Sequence, residues 1–168
     1  MNGKMTEQSF GQLVDAANSN DGFAMTILGV ILINNQHDVE AGIKQILFAA
    51  DRKNVFWAKN LQLYMRGHKE WELPIHHHAL VDSDAIEQLR LYSSNNIWAM
   101  TILGNLYYCG LVTPRYTSLA TKLLRKASDS GCLLAQELIR NYCIPNRTDV
   151  DNLLENIEDR DNSKYWIK

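Results

Sequence analysis

Apolar residues recur along this chain at helical spacing, and short polar stretches separate the apolar runs. In one such run, Val39, Ile43, Ile46, Leu47 and Ala50 follow the i, i+4, i+7, i+8, i+11 order of a single helix face. Only three prolines and nine glycines interrupt the chain, and no Asn-Gly or Asp-Gly pair separates two alternating runs. The pattern therefore predicts an all-α protein.

The hexapeptide AMTILG occurs twice, at 24–29 and 99–104, and its first alanine marks a position found four times. These four landmark alanines, spaced by 34, 41 and 36 residues, are Ala24, Ala58, Ala99 and Ala135. A bulky apolar residue precedes each one: Phe23, Trp57, Trp98 and Leu134. A small or apolar residue stands eight positions before each one: Ala16, Ala50, Leu91 and Ala127. One unit is thus predicted to occur about four times.

Each unit is predicted to form two helices, because a polar stretch (NSND, DRKN, SSNN or SDSG) that can end one helix and cap the next precedes every landmark alanine. A single hairpin cannot bury its apolar stripe, so we expect about four stacked hairpins in one α-solenoid domain over residues 1–168. The units are predicted near 22–54, 55–95, 96–131 and 132–146. An N-terminal half-repeat would cap one end, and a helix over 148–162 would cap the other.

The third unit carries the pattern A-x-x-x-L-G-x-x-Y-x-x-G, from Ala99 to Gly110. This pattern resembles the Sel-one-like repeat family, whose helical hairpins are related to tetratricopeptide repeats. The first unit matches nearly as well, whereas Ala58 and Ala135 lack the Leu-Gly pair and are assigned by their register alone. The resemblance covers about residues 8 to 145. It implies an α-solenoid that binds proteins, and it carries no catalytic residues to this chain.

Composition and charge narrow the classes of protein further. The chain has 168 residues, of which 46% are apolar and 21% charged, with a formal net charge of −2. That charge makes a general affinity for nucleic acid or anionic membranes unexpected, and no apolar run approaches the roughly 20 residues of a membrane span. The N-terminus lacks the pattern of a secretory signal. We interpret the three cysteines as free buried thiols, which favours a cytoplasmic location.

An unusual segment, RGHKEWELPIHHHALVDSD at 66–84, lengthens the spacing between the second and third landmark alanines. Zinc accepts imidazole ligands, but no ordered second pair of ligands accompanies the three adjacent histidines, so no metal site is predicted. The segment is either a plain exposed loop or a specificity loop with an exposed Trp as its anchor. The candidate partner-binding residues in it are Glu70, Trp71, Glu72, His76 and His78.

Charge is unevenly distributed near the C-terminus. Residues 111–147 hold six basic and two acidic side chains, whereas 148–168 hold six acidic and three basic ones. The two stretches could attract each other and seat the final helix, or the acidic one could block a basic groove on a partner. The candidate partner-binding residues of the second interpretation are Asp151, Glu155, Glu158 and Asp159.

The aromatic series Phe23, Trp57 and Trp98 could suggest a ligand cage, but equivalent repeat positions favour equivalent core residues. No phosphate loop, nucleophile elbow or zinc motif is present in the sequence, so neither an enzyme nor a cofactor is predicted. We expect a small inhibitor that neutralises a partner by direct binding, like a bacterial immunity protein acting on a toxin or nuclease domain. The alternative is an adaptor that gathers several signalling or secretion proteins. An RNA-binding repeat is disfavoured by the net charge, although the basic stretch keeps it open.

Overall fold

The computed structural model describes residues 5–35, 38–67, 81–109 and 117–145 of the chain. These residues form eight α-helices and no strand, which confirms the all-α class. The helices are α1 (Glu7–Asn18), α2 (Gly22–Asn34), α3 (Val39–Arg52), α4 (Phe56–Gly67), α5 (Ser83–Tyr92), α6 (Ile97–Tyr108), α7 (Thr117–Asp129) and α8 (Leu133–Asn141). None of these described helices is both long enough and apolar enough to cross a membrane.

Apart from its sequence repeats, the chain divides by its contacts into two compact halves, one of residues 10–88 and one of residues 1–9 with 89–168. In the first, α3 packs against both α2 and α4. In the second, α6, α7 and α8 pack against one another. The second half, residues 1–9 with 89–168, also joins distant parts of the sequence, because the Thr6 amide donates to Glu137 Oε1 of α8 over 2.8 Å.

All four landmark alanines are fully buried near the start of a helix. The bulky residues that precede them are buried too, so Phe23, Trp57, Trp98 and Leu134 belong to the core, as expected, and do not form a ligand cage. The residues eight positions earlier are less uniform. Ala50 and Ala127 are buried and Ala16 is half-buried, but Leu91 is 57% exposed, so the third repeat differs from the others at this position.

The two copies of AMTILG have the same environment, since every residue of both hexapeptides is buried. Met25 and Met100 are 6% and 7% exposed, and Thr26 and Thr101 are 0% and 1% exposed. Each threonine satisfies its hydroxyl locally by donating to the carbonyl four residues earlier, over 2.8 Å and 2.7 Å respectively. A helix that is apolar on all sides belongs in an interior layer, and α2 and α6 have that character.

The turns before the landmark alanines share a backbone conformation in three of the four units. Asn20, Asn54 and Gly131 each stand four positions before the alanine and have φ angles of 71°, 54° and 94°. This left-handed conformation ends a helix and favours Gly or Asn. Asn95 stands at the same position but has no positive φ, and its turn closes more tightly, through a bond from the Asn96 amide to Tyr92 O. The tighter turn explains why Leu91 falls out of register.

The two hexapeptide helices begin with side-chain caps. Asp21 accepts from the Ala24 amide over 2.9 Å, and Asn96 accepts from the Trp98 and Ala99 amides, also over 2.9 Å. In α8 the capping position is Cys132, which makes no side-chain cap bond. In α4 the cap comes from a different helix, as described below.

The helices of the first hairpin approach each other at two glycines. A Cβ on Gly29 would lie 2.7 Å from the Gly42 carbonyl oxygen, and a Cβ on Gly42 would lie 2.7 Å from that of Gly29. The buried line of α3 is consequently Gly42, Ile46, Ala49 and Ala50. The stripe expected from the sequence was therefore displaced: Val39, Ile43 and Leu47 are only half-buried.

Candidate functional site

The candidate partner-binding residues chosen from the sequence lie outside the described part of the chain. This applies to the loop residues Glu70, Trp71, Glu72, His76 and His78. It applies equally to the acidic residues Asp151, Glu155, Glu158 and Asp159, and to the whole predicted helix over 148–162. Both sets stay predictions, and the described residues show what surrounds their points of attachment.

A pair of polar residues, one before and one within the segment at 66–84 (the His-rich segment), joins α4 to the start of α5. With its amide oriented to match its neighbours, Asn60 of α4 donates to Asp82 Oδ2 over 3.0 Å and accepts from the Asp82 amide over 3.1 Å. Asp82 also caps α5 by accepting from the Ala85 amide over 2.8 Å. Helix α4 and the start of α5 are therefore joined directly by hydrogen bonds.

A second polar contact joins the same two helices at their other ends. Gln88 of α5 accepts from the Phe56 amide over 2.8 Å and donates to the Asn54 carbonyl over 2.7 Å. One amide side chain thus caps the start of α4 and bonds the left-handed residue of the turn before it. Because residue 88 pairs with 56 and residue 82 pairs with 60, α4 and α5 run antiparallel, as a helical hairpin requires.

Four large apolar side chains are exposed in the described residues, and the sequence pattern had singled out none of them as a surface. They are Leu63 at 64%, Leu91 at 57%, Tyr92 at 48% and Phe48 at 45%. Leu63 lies on α4, three residues before the His-rich segment, and Leu91 and Tyr92 end α5. Single exposed apolar residues are common on protein surfaces, and of these four Leu63 is nearest in sequence to the segment at 66–84.

A shallow recess of about 320 Å³ lies in the unit of residues 10–88, and Phe48 forms part of its wall. The other lining residues are Ala17, Asn18, Asn20, Met25, Lys44 and Gln45. Lys44 forms an exposed ion pair with Glu40 at 2.8 Å, and the hydrogen bond that the lysine donates to this carboxylate raises the pKa of Lys44. Such an exposed pair stabilises the fold little, and the lining offers no nucleophile beside a base.

The basic stretch of residues 111–147 is not an open groove where the structure describes it. Lys122 and Arg125 of α7 are buried, at 4% and 8% exposure, whereas Lys126 and Arg140 are exposed. The Arg125 guanidinium donates to the Pro145 carbonyl oxygen over 2.7 Å. Lys122 and Arg125 are three residues apart, so the sequence could have placed both on one helix face. The apolar residues on either side of them made this spacing hard to notice.

The cysteines differ in environment, so the expectation of three buried thiols was only partly right. All three are free; Cys132 is buried, Cys109 is half-buried and Cys143 is exposed. Burial raises the pKa of the Cys132 thiol, although a contact with Thr101 Oγ1 at 3.4 Å opposes the shift. A thiol held in its neutral form is a poor nucleophile, so Cys132 acts as a core residue.

Cys109 belongs to a small aromatic cluster between α6 and the end of α8. The rings of Tyr108 and Tyr142 stack at 4.1 Å, and the Tyr142 hydroxyl donates to Asn105 and contacts Cys109 Sγ at 3.5 Å. Burial, with a smaller effect from Cys109, raises the pKa of Tyr142. A phenol that stays protonated is suited to a structural hydrogen bond, and the cluster joins Tyr142, the residue after α8, to the end of α6.

Two further findings concern metal binding and similarity to known proteins. Within the described residues no three His, Cys, Asp or Glu side chains come together as a metal site would require. In comparisons with known proteins, no family model, curated protein or solved structure matches the chain.

Proposed function

We propose that the chain is an α-solenoid of about four stacked hairpins that resembles the Sel-one-like repeats and acts by binding another protein. The observation that carries this proposal is the equal burial of the two AMTILG copies at the starts of two helical hairpins. The shared left-handed turn of three units and the antiparallel α4 and α5 support the same repeat. Stacked repeats of this kind present extended surfaces suited to protein partners.

Within that class, the proposed role is a cytoplasmic inhibitor of the immunity type, which neutralises a toxin or nuclease domain by covering it. Two features favour one dedicated partner. The His-rich segment at 66–84 departs from the repeat in sequence, and it follows α4, which carries the exposed Leu63. The acidic segment after residue 148 is complementary to a basic active site, and such charge complementarity speeds association and selects the partner. The chain itself would need no catalytic group or cofactor.

Capture from a lysate of the native host, supplemented with the product of the neighbouring gene, tests this proposal. An inhibitor should retain one dominant partner at a one-to-one ratio, with a dissociation constant on the order of nanomolar. An adaptor, the alternative function, would retain several partners at substoichiometric levels. Mass spectrometry and light scattering of the purified complex separate these outcomes.

Charge reversal then tests the surface. Glu70→Lys with Glu72→Lys, and separately the triple reversal of Glu155, Glu158 and Asp159 to Lys, should each weaken binding by about tenfold or more, chiefly through slower association. Asp51→Lys with Glu87→Lys is the matched control, because both residues are exposed on described helices outside the two segments. Binding that is equally strong in all three variants would remove both surfaces from the proposal.

A further inference from the structure

One edge of α3 carries an exposed aromatic ring between two exposed cations. Lys44, Phe48 and Arg52 follow one another at intervals of four residues, so they lie along one side of the helix, and all three are exposed. We name these three residues the α3 edge. Aromatic and arginine side chains are enriched where protein partners bind, so an exposed pair of this kind is a candidate contact surface.

The ring of the α3 edge also borders the recess of about 320 Å³ in the same half of the chain. Two lining residues are apolar and buried, since Ala17 and Met25 are 3% and 6% exposed. The other lining side chains include the amides of Asn18, Asn20 and Gln45, and in the described part of the chain none of these three amides has a hydrogen-bond partner. Such amides have free donors and acceptors for the main chain of a bound peptide.

The spacing of the α3 edge matches the spacing of an extended chain. Four residues advance an α-helix by about 6 Å, and two residues advance a β-strand by about 6.6–6.8 Å. A segment that lies extended along α3 therefore presents every second side chain to successive positions of the α3 edge. When its middle residue packs against Phe48, the residues two positions before and after it face Lys44 and Arg52. Charge complementarity favours carboxylates at those two places.

The carboxylates of α3 itself leave both cations accessible. Glu40 pairs with Lys44 at 2.8 Å, but the two side chains are 81% and 72% exposed, so this pair stabilises the fold little and the ammonium group keeps donors for a second carboxylate. Asp51, next to Arg52 in the sequence, is turned by about 100° round the helix from it. Within the described helices Arg52 forms no ion pair.

We propose that the α3 edge and the adjoining recess bind an extended segment of a protein partner in which an apolar residue lies between two acidic residues, each two positions away. The apolar side chain packs against Phe48 and Met25 in the recess. The two carboxylates contact Lys44 and Arg52, and the amides that line the recess bind the main chain. This inference rests on the proposed function, and it adds the chemistry of the segment that the partner presents.

A synthetic peptide tests this surface without the native partner. The probe is a fluorescein-labelled nonapeptide with a central phenylalanine, a glutamate two positions to either side of it, and serine or threonine elsewhere. Its fluorescence anisotropy is followed as the full-length chain is added. We expect a dissociation constant on the order of 10–100 micromolar, since a flexible peptide loses much of its contact energy in becoming ordered.

The control peptide has the same composition, but its two glutamates adjoin the phenylalanine. Successive side chains of an extended segment point to opposite sides, so these carboxylates point away from the two cations when the phenylalanine is bound. The control peptide should bind at least about fivefold more weakly.

Substitutions on α3 identify the contacts. Phe48→Ala should weaken binding of the first peptide by about tenfold or more, and Lys44→Glu with Arg52→Glu by a similar factor. The matched controls are Leu63→Ala and Arg66→Glu, which change an exposed apolar residue and an exposed cation of α4 that do not line the recess. Both should leave the affinity within about twofold of the native value. Circular dichroism spectra identical to that of the native chain show that each variant is folded.

Three results would overturn the binding surface. The native chain could fail to bind the first peptide at concentrations up to about 1 mM, or it could bind the control peptide equally well. Phe48→Ala could bind the first peptide as tightly as the native chain. A labelled oligouridylate could bind more tightly than the peptide and lose its affinity in Phe48→Ala, which would assign the α3 edge to single-stranded nucleic acid.

The surface and the proposed function can fail separately. Capture of the same native partner at equal affinity by Phe48→Ala would leave the proposed function standing and overturn the α3 edge as its contact. Binding of the first peptide at the α3 edge, together with no partner captured by the native chain, would support the surface and contradict the inhibitor role.

Discussion

The hairpins α2–α3 and α6–α7 are built on the same hexapeptide and differ in what lies against its glycine. Both hexapeptides are fully buried, both follow an Asp or Asn cap, and both threonines bond back to their own helix. Gly29 faces the backbone of Gly42, whereas a Cβ on Gly104 would meet the Leu124 side chain at 3.0 Å and 3.1 Å. The hexapeptide thus specifies the interior helix, and the second helix of each hairpin sets how closely the two approach.

The physical difference lies in what can move. In the first hairpin a new methyl group would meet the Gly42 carbonyl oxygen at 2.7 Å and Ile46 Cγ1 at 2.5 Å. The carbonyl is held within α3 and cannot yield without moving the helix. In the second hairpin the nearest atoms are Leu124 Cγ and Cδ2 at 3.0 Å and 3.1 Å and Leu123 Cβ at 3.2 Å, so these side chains need to shift by only a few tenths of an ångström. Gly29 and Gly104, although they end identical hexapeptides, should therefore differ in how well they tolerate a larger side chain.

The largest effect is expected from the same substitution made at each glycine. Gly29→Ala should lower the free energy of unfolding by about 2 kcal/mol, because overpacking costs about 1–3 kcal/mol and exceeds the helix-propensity gain of alanine. Gly104→Ala should change it by less than about 1 kcal/mol, since there the two effects nearly cancel. Urea denaturation monitored by circular dichroism measures both values.

A matched control is Gly11→Ala on α1, where an added Cβ would meet nothing within 4 Å. It should stabilise the protein by roughly 0.5–1 kcal/mol. Equal destabilisation by Gly29→Ala and Gly104→Ala would show that the second hairpin is as tightly packed as the first, contrary to the comparison above.

The caps of the two hexapeptide helices provide the next test. Asn96→Ala should cost about 1–2 kcal/mol, because the Asn96 side chain satisfies two amides, and Asp21→Ala about 1 kcal/mol, because it satisfies one. Thermal and urea unfolding of each variant give the values. Asn96→Ser and Asp21→Ser should recover most of the loss, since serine also caps well. Loss of the same size in the serine variants would mean that the cap bond is not the cause.

Much of this local structure could be predicted from sequence, because it depends on residues close together in the chain. The four landmark alanines and their bulky neighbours, the α1 helix, and the start of α5 after Asp82 all follow from spacing and capping rules. The buried line of α3 could not, because two glycines that let α2 approach displace it from the most apolar face. A count of apolar residues favours Ile43 and Leu47 over Gly42, and close packing reverses that order.

Contacts between residues far apart in the chain could not be predicted from the sequence either, because nothing local indicates the partner. The cap of α4 comes from Gln88, whose side-chain oxygen accepts a hydrogen bond from the amide of Phe56, 32 residues earlier in the chain. Nothing near residue 56 indicates that partner, and Val55 in the capping position suggests an uncapped helix. Likewise the sequence gives the excess of positive charge around α7, but only the fold shows that Lys122 and Arg125 are buried. The candidate binding residues themselves stay predictions, which the surface variants test.

The turns before α2 and α6 allow a smaller test. Asn20 has a φ of 71°, whereas Asn95 at the equivalent position has no positive φ. Alanine tolerates the left-handed conformation less well than asparagine, so Asn20→Ala should cost about 1 kcal/mol and Asn95→Ala close to zero. Asn20→Gly should be nearly neutral, because glycine adopts this conformation without strain. A cost for Asn95→Ala equal to that of Asn20→Ala, measured by urea denaturation, would contradict the difference between the two turns.

The smallest expected effect concerns the residue three positions before the landmark alanine, which is Cys132 before α8 and Val55 before α4. Burial raises the pKa of the Cys132 thiol above its ordinary value of 9.0. The unfolded chain therefore loses this proton first as pH rises, so the contribution to stability is complete below about pH 9 and declines above it. At pH 9 the decline should stay below about 1 kcal/mol relative to neutral pH. Cys132→Val, which places the residue of the second unit in the fourth, should remove this part of the alkaline slope.

Cys143→Ser should leave the slope unchanged, because Cys143 is exposed in the folded protein. If the native protein and Cys132→Val lose stability in parallel between neutral pH and pH 10, as followed by urea denaturation, the thiol is not shielded from water as the structure indicates.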